Sequence, residues 1–136
     1  MSVSITDPRP AALVVDDDGL IRMDAVGILE DAGFEVLDAP SADHALVLLE
    51  EHWAGLQLLF TDVHMPGTRD GFALARHVAE CWPHITIVVA SGQATPGPDD
   101  MPAGACFIAK PFSTDVVRDQ LRRALPAHQQ QSTLTA

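Results

Sequence analysis

The chain is poor in basic residues and has almost no lysine. Among its 136 residues, 19 are acidic and 8 are basic, which gives a formal net charge of −11, and Lys110 is the single lysine. A nucleic-acid-binding surface needs clustered basic side chains to displace counterions from phosphates, so this balance argues against nucleic acid as a partner. The expected partners are proteins, metal ions and phosphate.

Long apolar stretches and paired cysteines are also missing. No stretch approaches the 18 apolar residues of a transmembrane helix. Residues 1–10 have neither the basic start nor the apolar stretch of a signal peptide. Cys81 and Cys106 have no paired spacing, which is typical of reduced thiols in the core of a cytosolic protein. We therefore expect a cytoplasmic protein of one domain, without membrane contact.

Three short apolar runs end in residues that can take part in chemistry. Leu13-Val14-Val15 leads into Asp16-Asp17-Asp18, Leu58-Leu59-Phe60-Thr61 leads into Asp62, and Ala105-Cys106-Phe107-Ile108-Ala109 leads into Lys110. Such runs are typical of buried parallel strands. Ligands of open α/β sheets bind just beyond the carboxyl ends of those strands. If the three strands are neighbours, the acids and the lysine meet at one edge, where they suit a divalent cation and a phosphoryl group.

Strand and helix patterns alternate from about Ala11 to Leu125. The alternation predicts a doubly wound α/β fold with a five-stranded parallel sheet, and helices are expected to begin near Asp18, Ser41, Asp70 and Ser113. Right-handed crossovers leave few strand orders. The common order 2-1-3-4-5 sets strands one and three side by side and brings the aspartates after them together.

The segment between strands four and five lacks a helical pattern. Residues 91–104 contain three prolines and three glycines, which predicts a loop with at most one helical turn. The fourth helix of the fold is therefore expected to be short or missing. We expect residues 1–10 to form an N-terminal arm, residues 11–125 to form the domain, and residues 126–136 to be a disordered tail.

The adjacent aspartates Asp16, Asp17 and Asp18 repel one another, so their clustering requires a physical explanation. A solitary aspartate after a strand is usually the N-cap of the following helix, and we assign Asp18 that role. Two carboxylates about 4 Å apart repel each other by on the order of 4 kcal/mol at an effective dielectric constant of about 20. A hard dication with oxygen ligands relieves this repulsion. The compact ammonium group of Lys110 suits contact with a phosphoryl oxygen. The broader guanidinium group of arginine would not take its place.

Four motifs together resemble the receiver domain of bacterial two-component response regulators. They are Val14-Val15-Asp16-Asp17, Thr61-Asp62-Val63-His64-Met65-Pro66, Val89-Ala90-Ser91-Gly92 and Lys110-Pro111-Phe112. The resemblance covers nearly the whole chain and implies a flavodoxin-like receiver fold. It also implies that Asp62 is the phosphoacceptor. Asp16 and Asp17 would hold Mg²⁺, or Mn²⁺ as a substitute, together with Asp62 and the backbone carbonyl of His64.

The resemblance assigns further residues to phosphoryl binding and switching. Ser91 would be the switch hydroxyl, Phe107 the switch aromatic residue, and Lys110 would bind the phosphoryl group and precede a cis peptide bond to Pro111. The implied function is that of a single-domain response regulator in a phosphorelay. It accepts a phosphoryl group from a histidine kinase or histidine phosphotransfer protein, signals to a downstream protein, and catalyses only its own phosphorylation and dephosphorylation.

The chain departs from the pattern of this family in four places. Ser91 stands where threonine is more common, the turn after Asp62 is one residue longer than in many members, and His64 occupies a variable position near the attacking water. The fourth departure is the proline-rich segment before strand five. Because many regulators dock through the missing helix, that mode of docking is not expected here.

Two other functions remain as alternatives. The opening Asp16-Asp17-Asp18-Gly19 also resembles haloacid-dehalogenase phosphatases, in which Asp16 would be the nucleophile and Asp18 the acid/base. That hypothesis gives Asp62 no role and lacks an acidic pair after Lys110. A non-phosphorylated pseudo-receiver that only binds partners is the second alternative, and the full set of acids, hydroxyl and lysine argues against it.

Overall fold

The structure, a computed structural model, describes residues 10–125 except residues 66, 68, 94 and 98. The predicted tail and all but the last residue of the predicted arm lie outside the described residues. The strands are β1 (Ala11–Val15), β2 (Glu35–Ala39), β3 (Leu56–Asp62), β4 (Thr86–Ser91) and β5 (Cys106–Ala109). The helices are α1 (Gly19–Asp31), α2 (Ala42–His52), α3 (Gly71–Cys81) and α4 (Thr114–Ala124). None of these helices has the length and apolar character needed to cross a membrane.

The five strands form one parallel sheet in the order β2-β1-β3-β4-β5, as predicted. The carboxyl ends of the inner strands are level with one another, because Val15 pairs with Thr61 and Asp62 pairs with Ala90. Residues that follow these strands therefore emerge at one edge of the sheet. This alignment confirms the doubly wound fold and brings the predicted site residues together.

The sheet is buried on both faces. On one face, Leu13 and Leu59 pack with residues of α2 and α3, among them Leu49. On the other face, Val14 packs with residues of α1 and α4, among them Leu121. Because neighbouring residues of a strand point to opposite faces, burial on both sides requires the continuous apolar runs seen in the sequence.

Each helix begins at the residue predicted to cap it. The side chains of Asp18, Ser41, Asp70 and Ser113 accept hydrogen bonds from backbone N–H groups in the first turns of α1, α2, α3 and α4, respectively. These bonds satisfy donors that have no partner inside a helix. Asp70 and Asp18 therefore also fix where the loops after β3 and β1 end, and those loops belong to the site.

The described residues between β4 and β5 contain no helix, in agreement with the prediction. The connection lies against α3 instead. Arg76 Nη1 donates a hydrogen bond to the carbonyl oxygen of Asp100 at 2.8 Å, and Met101 packs against the core on the α2 and α3 side of the sheet. Proline removes backbone donors and restricts φ, which accounts for the loss of the helix.

The prediction that both cysteines lie in the core is wrong for Cys81. Its side chain is exposed, and its Sγ lies 3.6 Å from His77 Nε2. Cys81 is the last residue of α3, and the next residue, Trp82, takes the buried position. Cys106 is partly buried at the start of β5.

Candidate functional site

All the predicted site residues except Phe107 and Pro111 line one cleft at the carboxyl edge of the sheet. We call this the acidic cleft; its volume is about 360 Å³, and it is lined by Asp16, Asp17, Asp18, Ile21, Asp62, His64, Ser91, Gly92, Gln93 and Lys110. The loops after β1, β3, β4 and β5 each contribute to it. The sequence therefore identified the main polar groups of the cleft, while Ile21 and Gln93 were not singled out for it.

Three carboxylates form the acidic end of the cleft. One oxygen atom from each of Asp16, Asp17 and Asp62 lies within 4.8 Å of the others. Asp16 and Asp62 are buried, and Asp17 is exposed. Three anionic oxygen donors at this spacing fit a hard divalent cation, which prefers carboxylate, carbonyl and water ligands. His64, whose backbone carbonyl the resemblance assigns to the metal site, also lines the cleft.

Lys110 lies between two of the carboxylates. Its Nζ donates to Asp16 Oδ2 at 2.8 Å and to Asp62 Oδ1 at 3.1 Å, and its side chain is 14% exposed. Burial lowers the pKa of Lys110, but the hydrogen bonds and negative charges of Asp16 and Asp62 outweigh burial, so its pKa lies above the ordinary value. The amine is therefore charged at neutral pH and aimed at the oxygen atoms of Asp62.

Asp16 is held firmly in place. Its backbone N–H donates to the carbonyl oxygen of Ala39 at 3.1 Å, which ties it to the end of β2. Its Oδ1 accepts from the backbone N–H of Asp18 at 2.9 Å, while Oδ2 accepts from Lys110. Both carboxylate oxygens thus have fixed directions before any ligand arrives, which lowers the cost of ordering the site.

Gly71 supports the backbone of Asp62, a role that the sequence did not reveal. Its N–H donates to the carbonyl oxygen of Val63 at 2.8 Å. A Cβ atom added to Gly71 would overlap the carbonyl oxygen of Asp62 and lie 2.7 Å from its carbonyl carbon. The start of α3 therefore packs directly on the peptide that follows Asp62. The Asp70-Gly71 pair indicated only a helix start, because the contact depends on the fold.

Ser91 lines the cleft at the end of β4, whereas Phe107, which pairs with Val89 in the sheet, is not among the residues that line it. Ser91 is buried at the end of β4, and its Oγ accepts from the backbone N–H of Gln93 at 3.2 Å. Phe107 is partly buried and packs against the core on the α2 and α3 side. The peptide bond between Lys110 and Pro111 is cis, as the resemblance implied.

Burial raises the pKa of the Asp62 carboxyl group. The negative charge of Asp16 raises it further, and the hydrogen bond and charge of Lys110 and the backbone N–H of Val63 only partly oppose this. The folded chain therefore holds a proton on Asp62 more tightly than the unfolded chain does. Stability from this group is fully present below the ordinary pKa of 3.8 and is lost as the pH rises through the higher pKa of the folded state.

The variant Asp62→Asn is expected to unfold at a higher temperature than the unaltered chain at neutral pH without metal. Asparagine removes an ionised group that burial and Asp16 disfavour, and Lys110 stays charged throughout this pH range. The difference in melting temperature should shrink as the pH falls through the raised pKa of Asp62. Thermal unfolding in a chelating buffer measures this difference in melting temperature. Glu50→Gln, at an exposed position of α2, is the control. Equal melting temperatures at neutral pH would contradict the raised pKa.

Comparison with known proteins identifies the family of the chain. Residues 12–122 match the family described as response regulator receiver domain. The chain is 35% identical over 123 residues to the C4-dicarboxylate transport transcriptional regulatory protein DctD of Rhizobium meliloti (strain 1021), covering 85% of this chain and 25% of that protein. It is also 35% identical over 104 residues to sensor kinase CckA of Brucella abortus (strain 2308), covering 74% of this chain and 11% of that protein. The chain thus spans a quarter or less of these relatives.

Solved structures show the same fold. A CheY-like response regulator receiver domain protein from Methanospirillum hungatei JF-1 is 25% identical, with a TM-score of 0.76 and coverage of 90% of this chain and 97% of that one. The receiver domain of the hybrid histidine kinase CckA is 28% identical, with a TM-score of 0.73 and coverage of 85% and 99%. The match over residues 12–122, the sheet order and these structures lead to one conclusion: the chain belongs to the response regulator receiver domain family.

Proposed function

We propose that Asp62 accepts a phosphoryl group from a histidine kinase or a histidine phosphotransfer protein in a Mg²⁺-dependent reaction. The observation that supports this most directly is the position of Lys110, whose Nζ lies 3.1 Å from Asp62 Oδ1 inside a cleft with two more carboxylates. A charged amine beside the accepting carboxylate can bind an oxygen of the incoming phosphoryl group. One carboxylate oxygen each of Asp16 and Asp17 lies within 4.8 Å of an oxygen of the same carboxylate.

The chemistry requires Asp62 to act as a nucleophile. One Asp62 oxygen forms a bond to phosphorus while the bond from phosphorus to the donor imidazole nitrogen breaks, and that nitrogen keeps the electron pair and gains a proton. Lys110 orients and neutralises a phosphoryl oxygen, and most of the rate arises from such positioning. Asp16, Asp17, Asp62 and the His64 carbonyl would hold a divalent cation, Mg²⁺ or Mn²⁺, which would supply further positive charge for the phosphoryl oxygens.

The output is proposed to be a change in protein contacts. Ser91 lines the cleft at the end of β4, and Phe107 lies on the neighbouring strand β5 and packs against the core on the α2 and α3 side. A phosphoryl group bound to Asp62 offers new acceptors to Ser91, which biases an existing equilibrium between two arrangements. The receiver domain would then act on a downstream protein in the cytoplasm, and catalyse only its own phosphorylation and dephosphorylation.

The geometry disfavours the phosphatase alternative. Asp18, the required acid/base, uses its Oδ1 to cap α1, where it accepts from the backbone N–H groups of Leu20 and Ile21. Asp16, the required nucleophile, has both oxygens engaged by Asp18 and Lys110. Asp62 would meanwhile have no role, although it lies in the same cleft.

Locating the phosphorylated residue tests the proposal. The chain is incubated with acetyl phosphate and Mg²⁺, the acyl phosphate is reduced with borohydride to leave homoserine, and the peptides are sequenced by mass spectrometry. We expect homoserine at position 62, and none in a sample treated with a chelator. Modification at Asp16 would favour the phosphatase. Absence of both modification and Mg²⁺ binding would favour the pseudo-receiver.

A further inference from the structure

Arg22 of α1 connects three parts of the fold close to the acidic cleft. Its Nη1 donates to the backbone carbonyl oxygen of Asp16 at 2.7 Å, and its Nε donates to Asp38 Oδ2 of β2 at 2.8 Å. The side chain of Arg22 is 22% exposed, so it is largely shielded from water. Arg22 touches none of the carboxylate oxygens of Asp16, Asp17 or Asp62 in the hydrogen bonds described, so it acts on the cleft through the backbone.

The carbonyl oxygen that Arg22 binds belongs to the peptide between Asp16 and Asp17. The N–H of Asp16 is fixed by Ala39, and its side chain is fixed by Asp18 and Lys110. Asp17 is different, because its side chain is exposed. The direction of the Asp17 side chain depends on the orientation of the peptide plane before it. Arg22 fixes that orientation by its hydrogen bond to the Asp16 carbonyl oxygen.

Arginine suits this task better than lysine. Two nitrogen atoms of one planar group donate at the same time, one to a backbone carbonyl and one to a carboxylate. The ammonium group of lysine has one nitrogen atom on a flexible stem, so it does not reproduce these two hydrogen bonds from two nitrogen atoms of one planar group. Asp38, which is half exposed on the sheet, anchors the outer end of the guanidinium group and so fixes its orientation.

We propose that Arg22, anchored by Asp38, is a positioning residue that sets the Asp17 carboxylate for cation binding. The proposal rests on the proposed function, because it assumes that Asp16, Asp17 and Asp62 hold a divalent cation. Residues that orient metal ligands typically change metal affinity by about 10- to 100-fold when they are replaced. Here the contact is to the backbone beside one ligand, so the lower end of that range, about tenfold, is expected.

The sign of the effect separates positioning from simple electrostatics. Arg22 is a cation close to an anionic site, so its charge alone weakens the binding of another cation. Removing that charge should therefore tighten Mg²⁺ binding if charge were the only role of Arg22. Positioning predicts the opposite result, namely weaker Mg²⁺ binding by Arg22→Gln.

The test measures Mg²⁺ affinity of the full chain by isothermal titration calorimetry. Arg22→Gln and Arg22→Lys should both bind Mg²⁺ about tenfold more weakly than the unaltered chain. Asp38→Asn should weaken binding in the same direction but less, and the double variant should be no weaker than Arg22→Gln, because both act through one contact. Arg123→Gln, which breaks an exposed pair with Asp119 on α4, is the matched control and should leave the affinity unchanged.

A second readout excludes a general structural effect. In phosphorylation by acetyl phosphate, the half-saturating Mg²⁺ concentration of Arg22→Gln should rise by about the same factor as the dissociation constant, while the rate at saturating Mg²⁺ stays unchanged. A lower plateau with an unchanged half-saturating concentration would overturn the proposal. If the unaltered chain binds Mg²⁺ and Arg22→Gln binds it equally or more tightly, the proposed role of Arg22 would be overturned, while the proposed metal site would stand. Absence of Mg²⁺ binding by the unaltered chain would overturn both the proposal and the metal site.

Discussion

The variant Asp62→Asn is expected to abolish phosphorylation by acetyl phosphate in the presence of Mg²⁺. The asparagine amide keeps the size of the side chain and can still accept a hydrogen bond from Lys110, but it lacks the anionic oxygen that attacks phosphorus. Radiolabelled acetyl phosphate or intact-protein mass spectrometry measures the loss.

A matched control shows whether the effect belongs to the site. Asp31→Asn removes one negative charge from the exposed last residue of α1, whereas the acidic cleft lies next to the first turn of that helix. Its labelling should equal that of the unaltered chain. Measuring the melting temperature of Asp62→Asn, which we expect to be higher than that of the unaltered chain, establishes whether this variant is folded. Retained labelling of folded Asp62→Asn would refute Asp62 as the phosphoacceptor.

The variant Gly71→Ala is expected to be strongly destabilised. Its added Cβ atom would overlap the carbonyl oxygen of Asp62, so either α3 or the end of β3 must move. Overpacking of this kind costs about 3 kcal/mol in the free energy of unfolding. For a domain of this size, such a loss lowers the melting temperature by about 10 °C. Thermal unfolding followed by circular dichroism measures the change.

Gly27→Ala provides the opposite result with the same substitution. Gly27 lies inside α1, and an added Cβ atom there meets no other atom within 4 Å. Alanine is favoured over glycine in a helix interior by about 1 kcal/mol, so the melting temperature should rise. If Gly71→Ala were as stable as the unaltered chain, α3 would not pack on the Asp62 peptide in the way described.

The chain order of apolar runs was sufficient to predict the sheet and most of the cleft. Parallel strands bring their carboxyl ends to one edge, so Asp16, Asp62 and Lys110 could be placed together once the strand order was inferred. The helix starts could also be predicted from the sequence, because capping is a local interaction between a side chain and the first turn of the helix that follows it. The missing helix before β5 followed from the prolines there.

What the sequence did not reveal depends on contacts between distant segments. Nothing near Arg22 indicates that its guanidinium group reaches both the carbonyl of Asp16 and the side chain of Asp38. The packing of Gly71 on the peptide after Asp62 likewise requires the path of the loop between β3 and α3. Cys81 was misplaced for a related reason, since the residue after it, Trp82, fills the buried position at the end of α3.

The shortage of lysine has a practical consequence for chemical labelling. Because the side chains of this chain offer one primary amine, an acylating reagent directed at lysine has a single side-chain target, and that amine already donates to Asp16 and Asp62. The nucleophilic form of the amine is scarce there, since the two carboxylates raise the pKa of Lys110. Slow acylation would therefore report an intact ion pair, which makes this residue a natural reporter on the state of the cleft.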